Sequence, residues 1–332
     1  MNELLEIPEC GRQQELRYGP SVLPVSKLDW KTSRPDRHLV LHAPDGLVCA
    51  RASLWWKRSP CLQGRPSGCI GHFSAADGAV AAKLVNAACS QLAQAGCAEV
   101  FAPLDGCTWN SYRLVTERGT EPPFFLEPDN PTSWPGVFTS NGFFSIARYY
   151  SSLNTDLLVR NKALERAAAR LEDSGIRIRA FEKENAERDL AALYQVSLQS
   201  FRNNFLYTPI DWPSFREKYV QLFDIIRPEL VLLAECGTDT IGFVFTLPDM
   251  CELRRTGSCR TAIVKTVAVL PGRRNGGLGK LLIERSQLAA HEAGFTRVIH
   301  ALMHESNPSF NLTRDYGNVF RTYELFGRQL RP

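Results

Sequence analysis

The sequence predicts an α/β protein built on a mixed sheet, and three observations carry that expectation. Residues Val264 to Glu284, VKTVAVLPGRRNGGLGKLLIE, read as a strand, a glycine-rich turn and a helix. Strand and helix patterns alternate through 175–332, and a shorter version of the same order occupies 36–156. The length agrees: 332 residues is the size of two domains. With 44% hydrophobic and 22% charged residues, the chain has the composition of an ordinary globular protein with material for a sizeable core.

Residues 1–35 are polar and Pro-bearing without periodicity, and read as an irregular lead-in. His38 to Trp56 reads as a hairpin, two apolar runs about an Asp45-Gly46 turn. A short strand at 68–74 follows. Asp77 then caps a helix whose apolar positions are Val80, Leu84, Val85, Ala88 and Leu92, ended by Gly96. Residues 98–104 form a strand, 122–135 are turn-rich and aromatic, and 142–150 form the last strand of this half. The segment 157–174, rich in Ala, Leu, Arg and Glu, reads as a connecting helix. In 175–332 a strand at 176–181 precedes helices at 186–201 and 212–223. A hairpin of 230–235 and 240–247 turns about Gly237. The strand and helix of 264–284 come next, then strands at 297–303 and 322–326.

Composition excludes several classes. The net charge of +4 is mild, and no basic run with interleaved aromatics suggests nucleic acid. No apolar run reaches membrane-spanning length, and MNELLEIPEC is not a signal peptide. The ten cysteines are scattered without Cys-x-x-Cys pairs. A cytoplasmic protein with reduced thiols and no metal is the expectation.

The glycine-rich turn points to an anion. Pro271 ends the β-branched run, Arg274-Asn275-Gly276-Gly277-Leu278-Gly279 follows, and Leu278, Leu281, Leu282 and Leu288 give the helix an apolar side. Glycines bring backbone N–H groups close to a ligand, and the helix N-terminus adds partial positive charge. Arg273, Arg274 and Lys280 add full charges. A P-loop needs Ser or Thr after its Lys, whereas Leu281 follows Lys280; the dinucleotide fingerprint has a different glycine spacing. The remaining alternative is a turn that only caps a helix.

Arg-x-x-Gly-x-Gly after Val-x-Pro resembles the acetyl-coenzyme A loop of the GCN5-related N-acetyltransferase (GNAT) superfamily, and the element order from about Gly175 to Leu330 is that family's order. The first half resembles a degenerate copy without a cofactor loop. The resemblance implies acetyl-coenzyme A, or another acyl-coenzyme A, as donor. Its pantetheine would bond the backbone along Val267, Ala268 and Val269, and its pyrophosphate would sit on Arg273, Arg274, Asn275, Gly276, Gly277, Leu278, Gly279 and Lys280. Asn307 would touch the cofactor. The family's strand glutamate is missing, since that strand offers Ile263, Lys265 and Thr266. His304 stands at the end of the next strand as a base or a packed histidine, and Glu305 follows it. His300 and His304 share a face in a regular strand. The family's acid tyrosine falls on Arg314, with Tyr316 two residues on, an acid or a core aromatic. The segment between the first two helices sets specificity in the family. Here Phe201, Asn204, Phe205, Tyr207 and Trp212 suit a neutral or aromatic-bearing small amine, or else pack at a domain interface. Phe124 to Trp134 of the first half could close the same cleft. Two alternatives stand beside this acyltransferase: a donor on an acyl carrier protein, docking on a basic rim of Arg254, Arg255 and Arg260, and a non-catalytic acyl-coenzyme A sensor.

Overall fold

The computed structural model describes residues 3–7, 15–158, 162–306 and 317–330. Among them the strands are β1 (Glu3–Ile7), β2 (Arg37–His42), β3 (Val48–Trp55), β4 (Ser67–Ala75), β5 (Glu99–Ala102), β6 (Leu114–Glu117), β7 (Phe144–Asn154), β8 (Ile176–Ala180), β9 (Val231–Cys236), β10 (Asp239–Pro248), β11 (Thr261–Val269), β12 (Arg297–His304) and β13 (Asn318–Gln329). The helices are α1 (Lys27–Ser33), α2 (Gly78–Gln94), α3 (Trp134–Ser140), α4 (Lys162–Asp173), α5 (Ala186–Ser200), α6 (Trp212–Val220), α7 (Met250–Thr256) and α8 (Leu278–Glu292).

Local chemistry fixes the helices that matter. The Asp77 carboxylate accepts the Ala79 and Val80 N–H groups, both at 2.9 Å, and starts α2. Its face Leu84, Val85, Ala88 and Leu92 is fully buried. Helix α8 starts on Gly277 at φ +89°, where a side chain would be strained, and buries Leu278, Leu281, Leu282 and Ile283. Asp211 caps α6 by accepting the Ser214 N–H at 2.8 Å.

The strands form one sheet in the order β1-β2-β3-β4-β5-β13-β7-β12-β11-β10-β9-β8, with β6 paired to β13. Two parallel pairs stand out, β4 with β5 and β11 with β12. Each is joined by a long helix, α2 or α8. The halves then exchange strands. β7, the last strand of the first half, pairs with β12, while β13 pairs with β5 and β7. The hydrophobic core therefore runs in clusters along one continuous sheet.

Several elements correct the sequence reading. The lead-in is irregular only in part: it supplies β1, which extends the sheet by pairing with β2, and α1. Helix α1 buries no side chain, so it has no periodicity to read; Ser26 caps it by accepting the Asp29 N–H at 3.0 Å. Strand β6 is four residues long and pairs only with β13. The short helices α3 and α7 complete the set that the sequence pattern did not show.

The first half encloses a polar chain. His38 Nδ1 meets the Ser53 hydroxyl at 2.7 Å, which meets His72 Nδ1 at 2.9 Å. Burial pushes His38 and His72 down to about 3, and His300 in the second half down to about 4. Burial pushes Asp105, beside His72, up to about 7. The histidines are neutral when folded and take protons when unfolded below about 6.5, so each removes stability as pH falls from about 6.5, by about 1.4 kcal/mol per pH unit. Asp105 binds its proton more tightly when folded and acts in the opposite sense between about 7 and its ordinary value. Three groups outweigh one, so the urea midpoint should fall between pH 6.5 and 5. His38→Asn should flatten that slope by about half, since three histidines less one opposing carboxylate leave a net of two groups; an unchanged slope would show that His38 is not held neutral.

Candidate functional site

Strands β11 and β12 are paired from Thr261↔Arg297 to Val264↔His300 and then part, although β11 runs on to Val269 and β12 to His304. The cause is a bulge in β12. Leu302 sits at φ +58°, its N–H donates to the Ser151 hydroxyl at 3.2 Å, and the register with β7 shifts between His300 and Met303. A cavity of about 840 Å³ opens at the parting. Lys265, Thr266 and Val267 of β11 and Ala301, Leu302 and His304 of β12 line it. Phe201, Asn204, Phe205 and Tyr207 cover it, and the first half contributes Trp109, Arg113, Tyr149 and the stretch Phe124–Pro128. The Trp109 indole N–H donates to the Thr208 carbonyl at 2.8 Å and ties the cover to the first half.

The equivalent parting of β4 and β5, after Cys69↔Phe101, is filled. The Leu104 N–H donates to the Ile70 carbonyl at 2.9 Å, and Asp105 accepts the His72 N–H at 2.5 Å. A Cβ on Gly71 would collide with Leu104 and Asp105. The two helix starts differ in the same sense. The first N–H groups of α2 are taken by Asp77, whereas Gly277 brings no capping side chain to α8.

The predicted residues separate into groups. Val267 lines the cavity, while Ala268 and Leu278 are core residues, 3% and 0% exposed. The Asn275 side chain donates to the Leu270 carbonyl at 2.8 Å and shapes the loop itself. Arg274, Gly276 and Gly277 are exposed on the loop, and Val269, Gly279 and Lys280 are half-buried. Arg170 of α4, not anticipated from the sequence, reaches the Gly276 carbonyl. Trp212 lies outside the cavity wall, packed edge-tilted on Tyr194 at 5.4 Å. Trp134 packs on Phe73 at 5.0 Å, also away from the cavity. Asn307, Tyr316 and the Arg273 side chain lie outside the described residues.

His300 and His304 do not share a face. The bulge at Leu302 inserts one residue of parity, so His300 meets Gln287 of α8 at 3.1 Å and His304 stacks on Phe205 at 5.6 Å. His304 Nδ1 accepts the Ser306 N–H at 3.1 Å, which leaves the neutral ring's proton on Nε2, buried without a partner. Burial also lowers its pKa. No lone pair of this ring faces the cavity. Glu305 accepts the Arg148 N–H at 3.1 Å and extends the β7 pairing instead of lining the cavity.

What the sequence reading missed is a set of cations. Arg113, Lys218 and Lys265 all line the cavity. Lys265 projects into the cavity, open to its interior yet walled by protein. That burial, with Lys218 and then Arg113 nearby, pushes its ammonium down to about 8. Burial lowers Lys218 as well. A lysine inside a β-branched strand was the one available signal; Arg113 carries none, because the Leu302 carbonyl it reaches lies 189 residues away in sequence.

No protein-family model and no curated protein matches the sequence. Solved structures do. One is described as a GCN5-related glucosamine N-acetyltransferase region of a fungal multi-domain GH3 β-N-acetylglucosaminidase. It is 12% identical with a TM-score of 0.58, over 98% of this chain and 38% of that one, so the chain spans well under half of it. A GCN5-related N-acetyltransferase from Sphaerobacter thermophilus is 14% identical with a TM-score of 0.51, over 89% of this chain and 81% of that one. Another from Anabaena variabilis is 9% identical with a TM-score of 0.52, over 99% and 73%. The order and direction of the strands and these likenesses agree: the chain has the fold of the GCN5-related N-acetyltransferases, and a parallel strand pair bridged by a helix occurs in each half of its one sheet.

Proposed function

We propose that the protein transfers an acetyl or other acyl group from acyl-coenzyme A to the amine of a small molecule, using the second copy alone for the cofactor. The observation that carries this is the parting of β11 and β12 onto an 840 Å³ cavity, with an uncapped helix start beyond the end of β11. The residues fit the group. The edge of β11 past Val264 has no pairing to β12, so backbone groups along Val267 to Val269 are available to pantetheine amides. Gly277 leaves the first turn of α8 open to a pyrophosphate, with Arg274 and Arg170 flanking it. Bound acyl-coenzyme A supplies an acyl thioester for attack.

The chain's own part is to place a neutral amine there. A walled cavity lined by cations disfavours an ammonium, first by desolvating it and then by charge repulsion, the two causes that hold Lys265 below its ordinary value. An amine bound beside Arg113, Lys218 and Lys265 gives its proton up more readily than in water, and His304 is assigned no part in taking it. Phe205, Tyr207 and the Phe124–Pro128 stretch exclude water from the reacting end.

Gly277→Glu, and separately Arg274→Ala, should weaken coenzyme A binding in calorimetry while leaving the circular dichroism unchanged, the first by more than about 100-fold because a charge and a strained side chain enter the phosphate position. Wild-type affinity in a folded Gly277→Glu protein would sink the assignment. Binding of coenzyme A without thiol release from any amine would make the protein a sensor.

One coenzyme A should bind per chain, because Asp77 and the filled parting after Cys69 close the first copy. Two sites, or a second site surviving in the double variant Arg274→Ala with Gly277→Glu, would show a working cofactor site in both copies.

With a saturating amine, kcat should rise with pH as the bound amine loses its proton and show no limb near 6.5. A limb near 6.5 that disappears in His304→Ala would return the proton to that histidine.

A further inference from the structure

Three cations line one cavity, and among the described residues none of them is paired with a carboxylate. Arg113 is only 7% exposed. Its guanidinium lies 3.7 Å from the Tyr112 ring centre and 4.1 Å from that of Tyr149, which fixes its plane. Its hydrogen bond to protein is one donation to the Leu302 carbonyl at 3.2 Å, and its Nε is buried with no acceptor. Lys265 rests 5.6 Å over the Tyr219 ring. The acidic residues of the wall do not balance them. Glu127 is taken by Arg321 at 2.6 Å and by the Tyr323 hydroxyl, and Asp29 accepts from Ser26 at the start of α1. Burying Arg113 without an anionic partner is costly unless an anion completes the site, and Lys218, half-buried, and Lys265, open to the cavity, stand ready on the same wall. The backbone is strained here as well: Arg113, Leu126 and Leu302, all on this wall, sit at φ +70°, +65° and +58°.

Resting on the acyltransferase function proposed above, we infer that the acceptor carries a carboxylate as well as its amine, and that Arg113 and Lys265 hold that carboxylate, with Lys218 on the same wall. A planar guanidinium with a fixed plane matches the planar carboxylate better than a point charge does. The neighbouring Phe205, Tyr207 and Phe125 take the apolar remainder of the molecule. Of the sequence-based expectation, a neutral or aromatic-bearing amine, this view keeps the aromatic-bearing acceptor and adds a carboxylate to it. The same oxyanion chemistry has a second source, a carboxylate on the acyl chain, and the test separates the two.

Full-length protein is titrated by calorimetry with benzoate and N-acetyl-L-phenylalanine, and with the carboxamide of each. At least one carboxylate should bind about 10-fold or more tightly than its amide. Arg113→Gln and Lys265→Met should each reduce that preference by about 10-fold, the scale of a lost charge-assisted hydrogen bond, with coenzyme A affinity unchanged. If Arg113→Gln does not fold, Lys218→Met joins Lys265→Met in carrying the comparison, since Lys265 is exposed to the cavity and Lys218 only half-buried. The inference is overturned if neither carboxylate is preferred, if the preference survives the variants, if inorganic phosphate outcompetes both, or if coenzyme A and the carboxylate exclude each other. In turnover, thiol release from acetyl-coenzyme A should favour L-phenylalanine over L-phenylalaninamide. An Arg113-dependent preference for succinyl- over acetyl-coenzyme A would instead place the carboxylate on the acyl chain. Loss of coenzyme A binding with carboxylate preference intact would count against the acyltransferase and leave the anion site standing.

Discussion

Everything at the candidate site depends on the long antiparallel pairing of β7 with β13, nine residue pairs from Asn318↔Leu153 to Gly327↔Phe144. This ladder lies in the middle of the sheet and joins the two copies through backbone hydrogen bonds. Because β7 then covers the outer edge of β12, the parting of β12 from β11 happens inside a sheet, between two supported strands, instead of at a free edge. The same exchange brings Trp109, Arg113 and Phe124–Pro128 of the first copy onto a cavity that belongs, by its strands, to the second. Neither copy alone contains the wall.

Most of the strand and helix order was legible because it follows from local chemistry. Asp77 before an apolar-periodic run, Gly277 before another, and Gly237 between two apolar runs each specify their element within a few residues. The exchange was not legible, since nothing in the composition of β13 says which neighbour it takes. Parity was not legible either. An alternation rule assigns His300 and His304 to one face, and a single left-handed residue, Leu302, reverses it. The charged wall was the largest omission. Arg113 and Lys218 stand in segments that read as ordinary surface, and only the closing of distant segments over them removes their water.

The two copies show how a small change decides whether a parting of strands is a site. Both parallel pairs end after a few residues. In the first, the chain after β5 turns back, fills the gap and bonds to β4 through Leu104 and Asp105, a route open only because Gly71 has no side chain. In the second, the bulge at Leu302 and the long segment before α6 leave the gap open. Burial of His38 and His72 in the filled copy and the opening of Lys265 onto a cavity in the other are two outcomes of the same topology: one spends its polar groups on each other, the other keeps cations for a ligand.

The strand exchange also governs the order in which the protein can come into being on the ribosome. The Thr116 hydroxyl bonds the carbonyl of Thr322, 206 residues further along, and the edge of β5 is completed by the same strand. Until β13 has been synthesised, the first copy holds an open strand edge at β5 and another at β7. Its sheet closes only when nearly all of the second copy has been made. Nascent chains therefore carry sticky edges through most of translation, and the two copies reach the native state together in one slow, long-range closure.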